Sequence, residues 1–355
     1  DEAGGWVYFT AWGEGPRERH FYRVRLSGGR VERLSREPGV HAVDFSAEHR
    51  AYLDTWSRSG QPPAMRLFRA DGTRIRTLED NAELAERLRQ AGVRPAEFFT
   101  FRTSDGVELH GWMIKPPDFD PTRRYPVLMA VYGGPGSQTV MDGWGGNQFL
   151  WYQMLAQKGY IVVSVDNRGT GGRGRAFKKV TYLNLGKWES HDQIEAARHL
   201  ASLPYVDPGR IGIWGWSYGG YMTALTMMKG GELFRAGIAV APVTDWRLYD
   251  TIYTERYMRT PRENPEGYRE SAPVRHVAGL RGDLLLVHGT GDDNVHFQNT
   301  VQLVNALQAA GKQFGLMIYP NRTHSIAGGN TQVHLFTLLT NWLDERLAGA
   351  GSKAR

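Results

Sequence analysis

The stretch IGIWGWSYGGYMTALTMMK, residues Ile211–Lys229, carries one serine between two glycines, with an apolar run before it and a helical pattern after it. Within this stretch, GWSYG (Gly215–Gly219) fits the G-x-S-x-G pattern of a nucleophile elbow. A serine on such a sharp strand-to-helix turn projects its hydroxyl at the edge of a sheet, and the flanking glycines let neighbouring backbone pass closely. The pentapeptide alone arises by chance, but a strand before it and a helix after it together predict that Ser217 is a nucleophile.

From about Ala96 onward, apolar runs of strand length alternate with helical stretches. Runs that are buried on both faces and separated by helices are typical of a mostly parallel sheet covered by helices. The sequence therefore predicts an α/β fold for this part of the chain. The clearest runs are YPVLMAVYGG (125–134), GYIVVSVDNRG (159–169) and DLLLVHG (283–289).

A serine hydroxyl is a poor nucleophile without a base, and the base needs an orienting carboxylate. In this architecture the chain order is serine, acid and histidine, each on a loop after a strand. DLLLVHGTGDDNVHF places Asp292 and Asp293 just past one strand, and FGLMIYPNRTHSIAGG places His324 just past the next. The order predicts His324 as the base, but the spacing leaves open which aspartate is the acid.

The N-terminal part of the chain contains an internal repeat with an offset of 44 residues. VYFTAW (Val7–Trp12) aligns with AYLDTW (Ala51–Trp56), and FYRVRLSGGRVERL (Phe21–Leu34) aligns with MRLFRADGTRIRTL (Met65–Leu78). Several short alternating strands within such a period are typical of β-propeller blades. Two blades cannot close a propeller, which takes about four to eight. We therefore expect this chain to be the C-terminal part of a longer protein.

A helix is predicted after the repeat. Asp80 and Glu83 form a pattern like a capping box, and Gly92 follows as a stop signal. We interpret this helix as a connector between the two parts of the chain.

The composition excludes several classes of function. The chain has 355 residues, about right for two domains, and no cysteine, which excludes disulfides, thiolate catalysis and cysteine-ligated zinc. The net charge is +6, but the arginines are scattered among acidic residues, so we predict no nucleic-acid partner. No run approaches the roughly 18 apolar residues that a membrane-spanning helix needs.

Two further patterns invite a functional interpretation. GTGGRG (Gly169–Gly174) matches a dinucleotide-binding pattern, but its arginines and the missing helix start favour a flexible loop near the site. His191 and His199 lie on a helical stretch, but their spacing of eight and the lack of a third ligand argue against a metal.

Four longer motifs resemble the dipeptidyl peptidase IV type of the prolyl oligopeptidase family of serine peptidases. These motifs are GWSYGGYMT, APVTDWRLYDTIYTERYM, HGTGDDNVHF and VYGGPGSQ, and the likeness runs from about residue 1 to 345. The family joins a β-propeller to an α/β-hydrolase domain. The resemblance implies the last two blades of a propeller over residues 1–79, a connector helix over 80–95 and an α/β-hydrolase catalytic domain over 96–355.

The resemblance also implies roles for individual residues. The triad falls on Ser217, Asp292 and His324, which selects Asp292 over its neighbour. The oxyanion hole combines the Tyr132 hydroxyl with the backbone N–H of Tyr218, a phenol and an amide that can stabilise a developing alkoxide. Flat aromatic walls suit a proline ring, although core aromatics would give the same pattern. The implied proline pocket contains Tyr218, Val243, Trp246, Tyr249, Tyr253 and Val295, with Asn294 holding a substrate carbonyl.

The activity implied is that of a serine exopeptidase, which releases N-terminal X-Pro or X-Ala dipeptides from peptides through an acyl-enzyme. No cofactor or metal is implied. Expected partners are a peptide, a second copy in a homodimer, and a companion N-terminal chain or segment that carries the remaining blades. The resemblance to this family also implies a periplasmic or secreted protein.

Several alternatives stay open. The family's paired glutamates, which clamp the free amino terminus of the substrate, lie in an earlier blade that this sequence lacks. ENPEGY (Glu263–Tyr268) is similar to the related prolyl tripeptidyl peptidases, and an endopeptidase like prolyl oligopeptidase also fits. A plain carboxylesterase is disfavoured by the blades. The alternative from another class is a non-catalytic hydrolase-fold binding protein, which usually lacks a triad member.

Overall fold

The computed structural model describes residues 1–13 and 15–348. Residues group into two compact units, of which the first contains Asp1–Glu97 and Val140–Met154. The second contains Phe98–Thr139 and the chain from Leu155 onward. Residues 349–355 of the predicted catalytic domain, and Glu14 of the predicted propeller part, lie outside the described residues.

The first unit is built on two antiparallel meanders that share one sheet. One parallel residue pair, Arg19 with Val40, joins their strands into one sheet. The first meander consists of β1 (Trp6–Trp12), β2 (Arg19–Arg25) and β3 (Glu32–Arg33), and the second of β4 (Val40–Phe45), β5 (Ala51–Arg58), β6 (Gln61–Arg69) and β7 (Arg74–Glu79).

The internal repeat corresponds to these strands. VYFTAW forms β1 and AYLDTW forms β5, and the two longer repeat segments begin with β2 and β6. Aromatic rings from both meanders pack together, with ring centroids of Tyr8 and Phe45 4.6 Å apart and those of Phe21 and Tyr52 4.9 Å apart. The alternating pattern of each strand therefore supplies one apolar face to a shared core.

The predicted connector helix is α1 (Ala82–Gln90). Its expected capping box of Asp80 and Glu83 does not form, because the cap position falls on Asn81, which has a left-handed φ of 51° and makes no side-chain cap bond. The predicted stop is confirmed: Gly92 has a φ of 76°, which a glycine adopts without strain.

The second unit contains an eight-stranded sheet in the order β15-β14-β13-β12-β10-β11-β9-β8. The strands from β10 to β15 pair in parallel, and β9 pairs antiparallel with β11. This confirms the predicted mostly parallel sheet. The strands are β8 (Glu97–Arg102), β9 (Glu108–Ile114), β10 (Tyr125–Ala130), β11 (Ile161–Asp166), β12 (Val206–Trp216), β13 (Ala236–Val240), β14 (Asp283–Gly289) and β15 (Gly315–Tyr319).

The remaining helices are α2 (Gly146–Gln157), α3 (Gly174–Lys179), α4 (Lys187–Ser202), α5 (Tyr218–Gly230), α6 (Thr251–Met258), α7 (Pro265–Ser271), α8 (Gln298–Ala309) and α9 (Thr331–Leu347). Helices α4, α5 and α9 pack against β12 of the sheet, whereas most of α2 groups with the first unit. The first eleven residues of α5 are all buried, and none of them carries a charge. On α9 the leucines recur every four residues and are fully buried at positions 335, 339, 343 and 347. Among residues 1–13 and 15–348, no helix has the length and apolar character that crossing a membrane requires.

One segment does not follow the predicted division of the chain into two domains at residue 96. Residues 140–154, which follow β10 in the chain, group with the first unit. Within that unit, Asp142 accepts a hydrogen bond from the N–H of Ser59 at 2.8 Å. Gln153 bonds both backbone groups of Arg94, accepting from its N–H at 3.1 Å and donating to its carbonyl at 2.8 Å. The exact domain boundaries stay a prediction.

We predict that Gln153→Leu destabilises the protein by about 1–3 kcal/mol, because it leaves two backbone groups of Arg94 without their side-chain partner. Urea unfolding measures the change. Gln148→Leu, an exposed position on the same helix, is the matched control and should change stability by less than about 0.5 kcal/mol. Equal stability of the two variants would contradict the prediction.

Candidate active site

Ser217 occupies the turn between β12, which ends at Trp216, and α5, which begins at Tyr218. Its φ of 61° and ψ of −119° are strained for a residue with a side chain. Its N–H donates to the carbonyl of Val240 at 2.8 Å, which holds the turn in place. The structure thus forms the strand-to-helix elbow that the sequence predicts, with one strained residue at its tip.

The glycines of the elbow allow backbone segments to approach each other closely. A Cβ on Gly215 would overlap the backbone of Gly219, and a Cβ on either glycine would overlap the carbonyl oxygen of Val131. A Cβ on Gly220 would lie 2.5 Å from the carbonyl oxygen of Val240. The glycines of the G-x-S-x-G pattern are therefore required because α5 packs too closely against the neighbouring strands to leave room for a side chain.

Asp292 is a buried carboxylate that is surrounded by hydrogen-bond donors. Its Oδ2 accepts from His324 Nδ1 at 2.7 Å and lies 3.2 Å from His288 Nε2. Its Oδ1 accepts from the N–H groups of Asn294 and Val295, each at 3.0 Å. Burial by itself raises the pKa of this carboxyl, but the hydrogen bonds from both histidines and from Asn294 outweigh burial and hold the pKa well below its ordinary value. The group is therefore a fixed negative charge.

This charge determines how His324 is oriented. Because Asp292 can only accept, His324 Nδ1 carries the proton, which leaves Nε2 of the neutral ring as an acceptor. The indole N–H of Trp216 donates to the carbonyl of His324 at 3.0 Å. Since Trp216 directly precedes Ser217, this bond ties the histidine loop to the elbow. The side chain of His324 is 23% exposed, so part of the ring is accessible to solvent.

The structure also separates the two aspartates that the spacing left open. Asp292 is buried and bonded to His324, whereas Asp293 is exposed.

Sequence reasoning missed His288, which contacts Asp292 from the other side. The ring is fully buried, and its Nδ1 lies 2.7 Å from the hydroxyl of Thr300. Its Nε2 faces two oxygen acceptors, the carbonyl of Val295 at 2.8 Å and the Asp292 carboxylate, so Nε2 carries the proton and donates. The available signal was position, because His288 lies near the end of the apolar strand, four residues before Asp292.

The two residues expected in the oxyanion hole lie side by side. Tyr218 is the first residue of α5, and the first N–H groups of a helix have no intrahelical acceptor. Tyr132 follows β10, is 40% exposed, and has its ring centroid 6.0 Å from that of Tyr218. Burial raises the pKa of the Tyr132 hydroxyl, which keeps it protonated as a donor.

The predicted proline-pocket residues also come together, around the buried ring of Trp246. The ring centroids of Tyr218, Tyr249 and Tyr253 lie 5.5, 5.8 and 5.9 Å from it, respectively. Tyr249 donates its hydroxyl to Asn294 Oδ1 at 2.7 Å, which connects this aromatic group to the loop that carries Asp292. Val243 and Val295 are both buried.

An open cleft of about 820 Å³ lies beside Tyr249 and Asn294. Its lining is mostly polar and charged, unlike the aromatic cluster around Trp246. The cleft is lined by Arg247, Leu248, Tyr249, Asp250, Asp293, Asn294, His296 and Gln298.

The two patterns set aside in the sequence have structural roles. The GTGGRG loop is held rather than loose, because the carbonyl of Gly169 accepts from Gly136 N–H and the N–H of Gly171 donates to Ser137, both at 2.8 Å. His199 stacks on Phe101 with ring centroids 4.5 Å apart. Among residues 1–13 and 15–348, no group of three or more His, Cys, Asp or Glu is arranged to hold a metal ion.

Comparisons with known proteins match both parts of the chain. A model described as the prolyl oligopeptidase family matches residues 148–350, and one described as the dipeptidyl peptidase IV (DPP IV) N-terminal region matches residues 1–63. Proteins named "Probable dipeptidyl-aminopeptidase B" from Emericella nidulans and Aspergillus terreus are 43% and 42% identical over 348 residues, which are 96% of this chain and 38% of each relative.

A solved structure is similar over nearly the whole chain. The crystal structure of Porphyromonas gingivalis dipeptidyl peptidase 4 matches with a TM-score of 0.93 and 47% identity, covering 97% of this chain and 49% of that chain. The chain therefore spans less than half the length of these relatives. The predicted fold class, an α/β-hydrolase domain preceded by the last two blades of a β-propeller, is confirmed. With a family model matched over more than half of its length, the chain belongs to the prolyl oligopeptidase family of serine peptidases.

Proposed function

We propose that this chain is the catalytic part of a serine dipeptidyl peptidase that releases N-terminal X-Pro, or less efficiently X-Ala, dipeptides. The observation that carries the proposal is the bond between Asp292 and His324, held beside the strained elbow of Ser217. The relatives support it, since the fungal proteins are named dipeptidyl-aminopeptidases and the Porphyromonas structure is named a dipeptidyl peptidase.

Acylation uses the free nitrogen of the histidine. His324 Nε2 takes the proton of Ser217 while Oγ attacks the carbonyl carbon of the second substrate residue. The negative charge that forms on the carbonyl oxygen is stabilised by the Tyr132 hydroxyl and the Tyr218 N–H. Asp292 stabilises the imidazolium without taking its proton.

The remaining steps return the site to its starting state. The imidazolium gives its proton to the leaving amine, the carbon–nitrogen bond breaks, and the dipeptide stays bound to Ser217 as an ester. A water then loses a proton to His324 Nε2 and attacks the ester carbonyl. The ester bond breaks, Ser217 recovers its proton, and the dipeptide leaves as a carboxylic acid.

The aromatic cluster supports selection of proline. Trp246 is held in place by burial, with the rings of Tyr249 and Tyr253 against it, and rigid aromatic walls favour a flat, compact ring over a long flexible side chain. We propose that this cluster receives the proline or alanine side chain and that Asn294 holds a substrate carbonyl.

The alternatives are relatives with the same chemistry. In the family, paired glutamates clamp the free amino terminus of the substrate and thereby fix how many residues are released. They are expected in a blade that lies outside this sequence, so a tripeptidyl peptidase and an endopeptidase are the competing functions. A non-catalytic binding protein is disfavoured by the hydrogen-bonded acid and base beside an intact serine elbow.

A homodimer and a companion segment stay predictions. The exposed apolar side chains of Val333 on α9 and Val301 on α8, which are 71% and 41% exposed, are consistent with a surface that a second copy covers. A companion segment carrying further propeller blades agrees with the greater length of the relatives.

We predict that Ser217→Ala and His324→Ala each lower kcat by about 10⁴- to 10⁶-fold, and that the double variant loses little more, because the residues act as a unit. Asp292→Asn should also be severe, because it removes the fixed charge beside His324. The exposed neighbour provides the control, Asp293→Asn, which should be mild. Turnover of a prolyl anilide measures these changes, and a larger loss in Asp293→Asn would contradict the assignment of the acid.

A second prediction concerns the oxyanion hole. Tyr132→Phe removes one donor and should lower kcat by about 10²- to 10³-fold, with KM changed much less. Steady-state kinetics on the same anilide separates the two constants. An unchanged kcat would mean that the hydroxyl stabilises no developing charge.

Substrate length is tested with three anilides offered to the full-length protein, carrying Gly-Pro, Ala-Ala-Pro and N-acetyl-Gly-Pro. We expect fast release from the first and little from the blocked one, because a dipeptidyl peptidase needs a free amino terminus. Preference for the tripeptide would instead indicate a tripeptidyl peptidase. Cleavage of the blocked substrate would indicate an endopeptidase.

A further inference from the structure

Helix α4 carries three polar side chains that are completely or almost completely buried and that the proposed reaction does not use. Glu189 and Asp192 are 0% exposed, and Gln193 is 1% exposed. Their spacing of three and four residues places them on one face of the helix. Buried polar groups need partners, and each of these three side chains has a partner in a segment that adjoins the proposed oxyanion hole. Gln193 also donates to the carbonyl of Val165 in β11 at 2.9 Å.

Glu189 contacts Tyr218, the residue that follows the nucleophile. The Tyr218 hydroxyl donates to Glu189 Oε1 at 2.9 Å, and the tyrosine is itself buried. The carboxyl lies in the first turn of α4, where the helix dipole favours a negative group. Its Oε2 has no hydrogen-bond partner among the residues that the structure describes. Burial also raises the pKa of Glu189 to about 7. Hydrogen bonds from the backbone of Gly186 and Glu189 and from the Tyr218 hydroxyl act in the opposite direction and favour the charged form of this carboxyl.

Gln193 leads to the other donor through one intermediate side chain. Its Nε2 donates to Asn167 Oδ1 at 2.9 Å, and Asn167 Nδ2 donates to the carbonyl of Gly133 at 3.0 Å. Gly133 directly follows Tyr132 and has a φ of 73°. A Cβ on Gly133 would lie 2.6 Å from Asn167 Oδ1, so the asparagine amide packs directly against the backbone beside the tyrosine.

Asp192 secures the loop on which Asn167 lies. It accepts from the backbone N–H of Arg168 at 2.7 Å and from its guanidinium at 2.6 Å. The same loop bonds the segment after Tyr132 at two further points, from Gly136 to Gly169 and from Gly171 to Ser137. Hydrogen bonds therefore connect α4, through Asn167, to the backbone of Gly133, which directly follows Tyr132.

We propose that the buried face of α4 positions both donors of the oxyanion hole, with Glu189 fixing Tyr218 and Gln193, through Asn167, fixing the backbone that carries Tyr132. The three are positioning residues, because none of them reaches the substrate. The proposal rests on the proposed function, since it presupposes that Tyr132 and Tyr218 stabilise the oxyanion. One helix thereby sets the distance between two donors that follow different strands of the sheet, β10 and β12.

A double-mutant cycle in the full-length protein tests the Tyr132 half. If Asn167 acts by placing the Tyr132 hydroxyl, Asn167→Ala should lower kcat about tenfold or more, because small misplacements are costly in catalysis. In the Tyr132→Phe background the same substitution should lower kcat by less than about twofold, because there is no hydroxyl left to place. Equal losses in both backgrounds would overturn this half, since a general loss of packing acts regardless of the hydroxyl.

Should Asn167→Ala fail to fold, Gln193→Met repeats the cycle one bond further from the tyrosine. It keeps the length of the side chain and removes the donor to Asn167. The expected pattern is the same non-additivity with Tyr132→Phe, with a smaller loss of kcat in the parent. An additive result again overturns the proposal.

The Tyr218 half has a matched control within the same unit. Tyr218→Phe removes only the hydroxyl bonded to Glu189 and should lower kcat about tenfold. Tyr160→Phe removes a comparable bond, from a fully buried tyrosine to Asp344 at 3.0 Å, and should leave kcat within about twofold. Equal effects of the two variants on kcat would overturn the role of Glu189.

Substitution of Glu189 itself separates positioning from charge. Glu189→Gln keeps an oxygen that can accept from the Tyr218 hydroxyl, so it should retain most of kcat, whereas Glu189→Leu should resemble Tyr218→Phe. Loss of kcat in Glu189→Gln as large as in Glu189→Leu would contradict a positioning role through that bond.

The outcomes distinguish this inference from the proposed function. If Tyr132→Phe alone leaves kcat unchanged, the oxyanion assignment falls, and this inference falls with it. If Tyr132→Phe lowers kcat but the Asn167, Gln193 and Tyr218 variants do not, only the inference about α4 is wrong.

Discussion

The close approach of backbone around Ser217 is the constraint on which the rest of the site depends. Gly215 and Gly219 pack against each other and against the carbonyl of Val131 with no room for a Cβ. This contact brings the end of β12 and the start of α5 directly against the end of β10. It holds Ser217 in a strained conformation and places Tyr132, which follows Val131, next to the elbow.

The buried charge of Asp292 determines the tautomer and the orientation of His324. Asp292 accepts hydrogen bonds from the N–H groups of Asn294 and Val295 as well as from two histidines, so its charge is satisfied although it is buried. A carboxylate fixed in this way can only accept from His324, which defines the tautomer of the histidine and leaves its other nitrogen for the serine proton. The buried ring of His288 belongs to the same unit, because without its N–H the carboxylate would lose one of its donors.

Buried polar groups elsewhere in the second unit follow the same logic. Glu189, Asp192 and Gln193 on α4 cost free energy to bury, and each makes a hydrogen bond to the elbow or to the loop after β11 that packs beside Tyr132. Gln193 also donates to the carbonyl of Val165 in β11. The apolar layers of β10, β11 and β13 account for stability, whereas these polar contacts fix the positions of particular loops. Stability and positioning are thus assigned to different side chains of the same unit.

The sequence alone determined the features that are encoded over short stretches: the strand, serine and helix around Ser217, the parallel sheet, the strand repeat and the stop at Gly92. It failed where two local signals competed, as at Asn81, whose left-handed backbone displaced the expected capping box of Asp80 and Glu83. Only the tertiary structure decided which distant side chains meet. His324 finds Asp292 across 32 residues because β14 and β15 are neighbours in the sheet, so the loops that follow them meet. Tyr218 finds Glu189 across 29 residues because α4 packs against α5, and no local pattern records either arrangement.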